Sequence, residues 1–120
     1  MLVDERMRDL GRLLDVAELR ARVHAANLAN QDTPGFRARE VRFEEAFRRA
    51  FDGQGAAAAR AVEPEIAIAG RTAMDNDGND VSTDAEVGAL ARNALLHRTY
   101  ITSLRGKFAL LQSALRGAEG

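Results

Sequence analysis

The two histidines are the first residues in the sequence that could do chemistry. His24 and His97 are the only histidines among 120 residues, and the chain has no cysteine. A metal site or a proton-transfer pair would need a third ligand at a matching spacing, and the sequence offers none. Both histidines instead fall on regularly spaced apolar positions. We therefore expect each to lie at the edge of a helix interface, hydrogen-bonded to a neighbour or partly in water.

A second candidate is an acidic stretch near residue 80. Four of its side chains match positions one, three, five and twelve of an EF-hand: Asp75, Asp77, Asn79 and Glu86. The sixth position of such a loop is glycine, which allows the sharp bend, but here it is Asp80. Glu86 also follows Thr83 at the spacing of a capping box, which predicts a helix start. The stretch therefore indicates a turn before a helix, and no metal ion or other cofactor is expected.

No other pattern is typical of a catalytic site. There is no glycine-rich phosphate loop, and no hydroxyl lies on a nucleophile elbow. The lack of cysteine excludes a thiol nucleophile and a disulfide framework. We expect no catalytic residue, and the protein is not expected to be an enzyme.

Charge and hydropathy exclude two further classes. The 17 basic and 18 acidic residues give a net charge of -1, which does not favour binding to nucleic acid or to an anionic membrane. No run approaches the roughly 18 apolar residues of a membrane span. The N-terminus lacks the basic and apolar regions of a signal peptide. We expect the protein to stay in the cytoplasm or to leave it without a cleaved signal.

Residues 1–30 are predicted to form a long helix. Its apolar positions alternate three and four residues apart, the spacing of a coiled-coil seam. They are Val3, Met7, Leu10, Leu14, Ala17, Ala21, His24 and Leu28.

Residues 83–120 are predicted to form a second long helix that ends at Gly117. Its seam is Val87, Leu90, Ala94, His97, Ile101, Leu104, Phe108, Leu111 and Leu115. Because the two seams lie at opposite ends of the chain, the helices are expected to pair as an antiparallel coiled coil in a mainly α fold. Leu13, Val16 and Val23 fall off the first seam, so we expect further copies or partner helices to cover them.

Residues 31–82 are predicted to be a turn, a short arm and a flexible segment within the same structural domain. Asp-Thr-Pro-Gly at 32–35 predicts a type II turn, because proline presets φ and glycine supplies a positive φ. Residues 36–51 fit either a short amphipathic helix or an extended arm. Residues 53–60 are low in complexity and are expected to be mobile. Residues 65–70 could form a short strand.

Phe43 and Phe47 lie one helical turn apart in the arm. Two interpretations stay open at this point. The aromatic pair either packs the arm onto the long helices or forms a docking peptide for a partner.

Residues 26–36, Ala-Asn-Leu-Ala-Asn-Gln-Asp-Thr-Pro-Gly-Phe, resemble the N-terminal signature of flagellar rod and hook proteins. The signature positions are Asn27, Asn30, Thr33, Pro34, Gly35 and Phe36. The continuation to Phe47 resembles the FlgB family of proximal rod proteins more than the distal rod or hook proteins. Residues 77–81 resemble the family's turn before the C-terminal helix. Residues 93–100 resemble the start of that helix.

The resemblance implies a structural subunit of the proximal rod of the bacterial flagellar basal body. Such proteins are exported by the flagellar type III apparatus without cleavage and polymerise in the periplasm through their terminal helices to transmit torque. The implied partners are further copies, other rod proteins, MS-ring/rod adaptor proteins and the export gate, whose docking motif would fall at Phe43 and Phe47. The implied assembly seam is Leu10, Leu14, Leu28, Leu90, Ile101, Leu104, Phe108, Leu111 and Leu115. The alternative is a soluble coiled-coil adaptor that forms a discrete oligomer.

Overall fold

The computed structural model describes residues 4–71 and 73–119, and of Glu119 only the backbone. Long helices at both ends of this part of the chain enclose a short β-containing middle, so the predicted mainly α fold is confirmed. The elements in chain order are α1 (Glu5–Ala29), β1 (Arg39–Arg42), α2 (Glu44–Gln54), α3 (Ala56–Arg60), β2 (Glu65–Ile68) and α4 (Thr83–Glu119).

Helices α1 and α4 pack against each other in antiparallel orientation, as the two seams predicted. Three contacts fix the direction: His24 with Glu86, Ala17 with Asn93, and Asp4 with Lys107. On α1 the predicted seam positions from Met7 to Leu28 are buried or half-buried, and Val3 lies outside the described residues.

The seam on α4 departs from the predicted one at several positions, although Ile101 is half-buried as predicted. Val87, Ala94 and Phe108 face outward, and Val87 and Phe108 are 52% and 50% exposed. Their places facing α1 are taken by the residues one position earlier, namely Glu86, Asn93 and Lys107, while Leu90, His97, Leu104 and Leu111 keep their predicted places. The physical reason is that these polar side chains reach hydrogen-bond or ion-pair partners on α1, which compensates them for leaving water.

The predicted ends of α4 are also corrected. The N-cap is Ser82, whose Oγ accepts a hydrogen bond from the Ala85 amide at 3.3 Å. Thr83 instead donates to the Gln31 side chain at 2.7 Å, and Glu86 points at α1, so no capping box forms. The helix continues through Gly117 to Glu119, because that glycine does not adopt the positive φ of a C-terminal stop.

The apolar core lies on the side of α1 that faces away from α4. It consists of Val16, Val23, Val41 and Phe43, with Leu13, Leu19, Phe47 and Val62 packed around them. The expectation that further copies cover Leu13, Val16 and Val23 is therefore wrong. The chain's own middle segment covers them, and residues 36–51 do so as strand β1 followed by helix α2.

The middle segment is built on a two-stranded antiparallel sheet. Strands β1 and β2 pair in register from Arg39 opposite Ile68 to Arg42 opposite Glu65, so the predicted strand near residue 65 is confirmed. Residues 53–60, which are low in complexity, lie at the end of α2 and in α3, in which Ala59 is buried. None of the described helices has the length and hydropathy needed to span a bilayer.

Candidate functional site

The signature turn begins with an asparagine that joins α1 to β1. The Asn27 side chain donates to the Arg39 carbonyl at 2.8 Å and accepts from the Arg39 amide at 3.0 Å. The residue is 1% exposed. A side-chain amide is suited to this role, since it offers a donor and an acceptor to one backbone unit. Asn27 therefore fixes where the middle segment leaves the helix.

The end of α1 and the turn after it are held by local hydrogen bonds. Asn30 caps the helix, because its backbone amide and its side-chain amide both donate to the Ala26 carbonyl. Its side-chain oxygen accepts from the Thr33 hydroxyl at 3.0 Å. The Phe36 amide donates to the Thr33 carbonyl and Gly35 has a φ of 76°. This is the geometry of the predicted type II turn through Pro34 and Gly35.

A second turn, just before α4, interlocks with the first. The Asn79 side chain donates to the carbonyls of Asn30 and Thr33, at 2.9 and 2.7 Å. In return, the Gly35 amide donates to the Asp77 carbonyl at 2.8 Å. Asn79 is 1% exposed. The sequence singled out Asn79 as a possible calcium ligand, whereas in the structure its contacts join the end of α1 to the turn before α4.

Asp80, next to Asn79, also links the segment before α4 to the segment after α1. Its carboxylate is buried, accepts from the Ala38 amide at 2.5 Å and pairs with Arg37 at 3.0 Å. Burial alone would raise the pKa of Asp80. The hydrogen bond from Ala38 and the charge of Arg37 outweigh burial and hold this pKa below its ordinary value.

Glu86 is the centre of a buried polar cluster between the helices. One carboxylate oxygen lies 2.6 Å from Nδ1 of His24, and the other accepts from Arg71 at 2.7 Å. Burial raises the pKa of Glu86, but interactions with Asn27, His24 and Arg71 outweigh it and keep the pKa below its usual range. Sequence reasoning placed His24 at a helix edge correctly and missed its partner, which lies 62 residues away.

The aromatic pair of the arm lies within the core. The ring centroids of Phe43 and Phe47 are 5.6 Å apart, and Phe43 is 4% exposed. The rings flank a cavity of about 190 Å³ between α1 and α2, whose wall also includes Leu13. In the folded chain the pair packs the arm onto α1, which is the first of the two interpretations.

Helix α4 carries many exposed apolar side chains. The largest are Val87, Leu95, Leu96, Phe108, Leu110 and Leu115. Of the predicted assembly seam, Leu10, Leu14, Leu28, Leu90, Ile101, Leu104 and Leu111 are half-buried, whereas Phe108 and Leu115 are exposed. Within the described part of the chain, no three histidine, aspartate or glutamate side chains converge as they would around a metal ion.

Comparison with known proteins gives the family. No protein-family profile matches the chain. It is similar to the flagellar basal body rod protein FlgB of Aeromonas hydrophila, with 34% identity over 117 residues that cover 88% of this chain and 89% of that protein. It is 31% identical to FlgB of Borreliella burgdorferi over 104 residues, covering 72% and 77% of the two chains. It is 28% identical to FlgB of Escherichia coli over 131 residues, covering 95% of each. With the signature turn and the paired terminal helices, this similarity shows that the chain belongs to the FlgB family of flagellar basal body rod proteins.

Proposed function

We propose that the protein is a structural subunit of the proximal rod, which polymerises through its terminal helices and transmits torque from the motor to the hook. The observation that carries this proposal is the set of exposed apolar side chains on α4. The helix has 37 residues, about 55 Å at 1.5 Å per residue. Along it, Leu95 and Leu110 are 65% and 72% exposed. Large apolar side chains that are this exposed are typical of a surface that another protein covers.

Torque transmission requires that the two helices of a subunit do not slide past each other. The interlocked turns at one end of the pair support this requirement. Asn79 binds the Asn30 carbonyl at the end of α1, and Glu86 of α4 contacts His24 of α1. The proposed assembly seam has two parts. Its exposed residues, Phe108 and Leu115, would meet neighbouring subunits. Its half-buried residues are Leu10, Leu14, Leu28, Leu90, Ile101, Leu104 and Leu111.

The route to the rod is proposed to be the flagellar type III apparatus, without cleavage, followed by assembly in the periplasm. Phe43 and Phe47 would be the export-gate docking motif. Since Phe43 is buried in the folded chain, docking would require an unfolded chain or an arm lifted from α1. The same two rings would then serve as a recognition motif before assembly and as core residues after it. The other partners would be further rod proteins and the MS-ring/rod adaptor proteins.

A single complementation experiment tests the function and the export motif together. The chain would be expressed in a flagellated bacterium that lacks its own proximal rod subunit, and purified basal bodies would be imaged and probed for it. We expect the chain in the rod, with motility restored. Its retention in the cytoplasm as a discrete oligomer, with no rod formed, would instead support the adaptor alternative.

The double variant Phe43→Ala/Phe47→Ala is expected to remain in the cytoplasm. Val41→Ala is the matched control, because Val41 lies in the same core cluster but outside the aromatic pair. Both variants weaken the core, so a loss of export shared by both would argue against a docking role. Normal export of the double variant would also reject it.

A further inference from the structure

The outer edge of strand β1 is occupied by side chains of α1. Asn27 binds both backbone groups of Arg39, and Arg20 donates to the Val41 carbonyl at 3.2 Å. Backbone groups that point away from the partner strand are free to pair with another chain unless something covers them. Because α1 binds these groups of β1, this side of the sheet does not offer an edge to a further strand.

The outer edge of β2 is open. The Ala69 amide donates to the Ala38 carbonyl at 2.9 Å. Since the bonded positions alternate along an antiparallel pair, Ile66 and Ile68 direct their backbone groups away from β1. The Ile68 carbonyl accepts from the Arg42 side chain at 3.1 Å. The amide of Ile68 and both backbone groups of Ile66 are therefore placed to pair with an added strand.

The apolar face of β2 is also uncovered. Ile66 lies opposite Val41 and Ile68 opposite Arg39, so both isoleucines are on the same face of the sheet as buried Val41. They are nevertheless 48% and 46% exposed. Ile66 lines a groove of about 220 Å³ between the sheet and α1, whose wall also includes Leu19. An added strand would cover this apolar surface as well as pair its backbone with β2.

The groove is positively charged. Arg22 of α1 and Arg39 of β1 line it, both are exposed, and the described residues that line it include no aspartate or glutamate. Neither arginine forms an ion pair within the ranges 4–71 and 73–119, although Glu18 lies one turn before Arg22 on α1. Glu65 of β2 points to the opposite face of the sheet, because side chains alternate along a strand. A segment that fits this groove therefore carries carboxylates beside its apolar side chains.

A second copy of the chain is a poor match to this groove. Among the described strands, the open edge of a second copy would again be that of β2. Pairing two β2 strands would bring Arg22 and Arg39 of one copy towards the same arginines of the other, and like charges that face each other across a sheet are destabilising. The charge of the groove thus favours a different protein as its occupant.

We propose that the outer edge of β2 binds an extended acidic segment of a different protein as a third, antiparallel strand. Apolar side chains of that segment would cover Ile66 and Ile68, and its carboxylates would pair with Arg22 and Arg39. Addition of a strand to a sheet edge is a common mode of peptide recognition, in which the backbone bonds give affinity and the side chains give specificity. The surface is separate from α4 and from the assembly seam, and the inference does not depend on the proposed rod function.

The first test is binding of a designed peptide to the purified full-length chain. The probe is fluorescein-labelled Thr-Glu-Thr-Val-Thr-Val-Thr-Glu-Thr, which as a strand places two valines between two glutamates on one face. Fluorescence anisotropy should show it binding at least about tenfold more tightly than the same peptide with lysines in place of the glutamates. Equal binding of the two peptides, or no binding of the acidic one at about 1 mM, would overturn the proposal.

Methylation of peptide amides tests strand pairing separately from charge. In an antiparallel arrangement the residues that share a face with Ile66 and Ile68 also direct their amides at β2. N-methylation of the two valines should therefore weaken binding by about tenfold or more. N-methylation of the threonines on either side is the matched control and should have little effect. Equal affinities of the two methylated peptides would mean that the peptide does not bind as a strand, and would overturn the proposal.

Charge reversal on the protein identifies the groove. R22E/R39E should bind the acidic peptide about tenfold more weakly and the lysine peptide more tightly than the wild type does. The gain also shows that the variant is folded. R92E/R98E, which reverses two exposed arginines of α4, is the control and should bind both peptides like the wild type. Unchanged peptide preference in R22E/R39E would contradict the proposed site.

Sedimentation velocity checks the choice of occupant. The acidic peptide should bind without changing the association state of the chain. Self-association that the peptide abolishes would show that a second copy fills the edge of β2, and would overturn the proposal.

Discussion

At the scale of single residues, Glu86 connects three parts of the chain that are distant in sequence. Its carboxylate has no solvent exposure and contacts His24 of α1 and Arg71 of the segment before α4. A buried carboxylate is tolerated only when its oxygens are paired, and removing one member of such a cluster leaves the others without compensation. The cluster therefore makes the junction of α1 and α4 dependent on a single charge.

Replacing Glu86 by glutamine should destabilise the fold by about 2–4 kcal/mol, because Arg71 would lose its buried counter-charge. Chemical denaturation at neutral pH measures this difference. Glu45→Gln is the control, since Glu45 is an exposed residue of α2 whose ion pairs within the described chain are with Arg48 and Arg49 of the same helix. Equal stability of the two variants would contradict the structural role of Glu86.

The structural role of Glu86 also predicts how the free energy of unfolding changes with pH. The pKa values of Glu86 and Asp80 are lower in the folded chain than their ordinary values, so the unfolded chain binds more protons as acid is added. The stabilisation that these two carboxylates contribute is complete above their ordinary pKa range, about pH 4–4.5. It is lost as the pH falls through their lowered pKa values in the folded chain. The Glu86→Gln variant should lose less stability over this acid range than the wild type.

Residue roles could be predicted from the sequence only where the partner is close in the chain. The Thr33–Phe36 turn was predicted because proline and glycine encode it locally. Glu86 was assigned to a capping box because its spacing from Thr83 fits one, whereas its actual partners are 62 and 15 residues away. Nothing in local spacing distinguishes a glutamate that caps its own helix from one that crosses to another.

At the scale of elements, both long helices and the fact that they pair follow from the heptad spacing. The register of α4 does not, because hydrophobicity favoured Val87, Ala94 and Phe108 over their polar neighbours. Asn93 faces α1 instead and donates to the Ala17 carbonyl at 2.7 Å. The coverage of Val16 and Val23 by β1 and α2 was missed for a similar reason, since short segments show too little periodicity to reveal what they pack against.

The register can be tested with two substitutions on α4. In dilute solution Asn93→Ala should lower the free energy of unfolding by about 1–2 kcal/mol, because a buried hydrogen bond is lost. Val87→Ala, on the outward face, should change it by about 0.5 kcal/mol or less. Urea denaturation of both variants measures the difference, and the reverse order would support the seam predicted from hydrophobicity.

At the scale of the whole molecule, the protein is long and thin and has a small core. Its extents are 69 × 31 × 15 Å, and among the residues that the structure describes the apolar core cluster has four buried members, all on one side of α1. A single chain of this size and shape buries a limited share of its apolar surface, so its own stability is modest. Contacts between copies therefore have more weight here than in a compact domain.

For a chain of this shape, thermal stability is expected to depend on chain concentration. The contacts between copies that the proposed function requires form only between folded chains, so mass action stabilises the fold, by about 1.4 kcal/mol at tenfold above the dissociation constant. For a chain of this length such a gain corresponds to a rise in Tm of about 4–8 °C. Circular dichroism melts at rising chain concentration and low ionic strength should show this increase in Tm. A constant Tm would mean that copies of the chain do not bind each other, and that the exposed apolar side chains of α4 are covered by a partner other than a second copy.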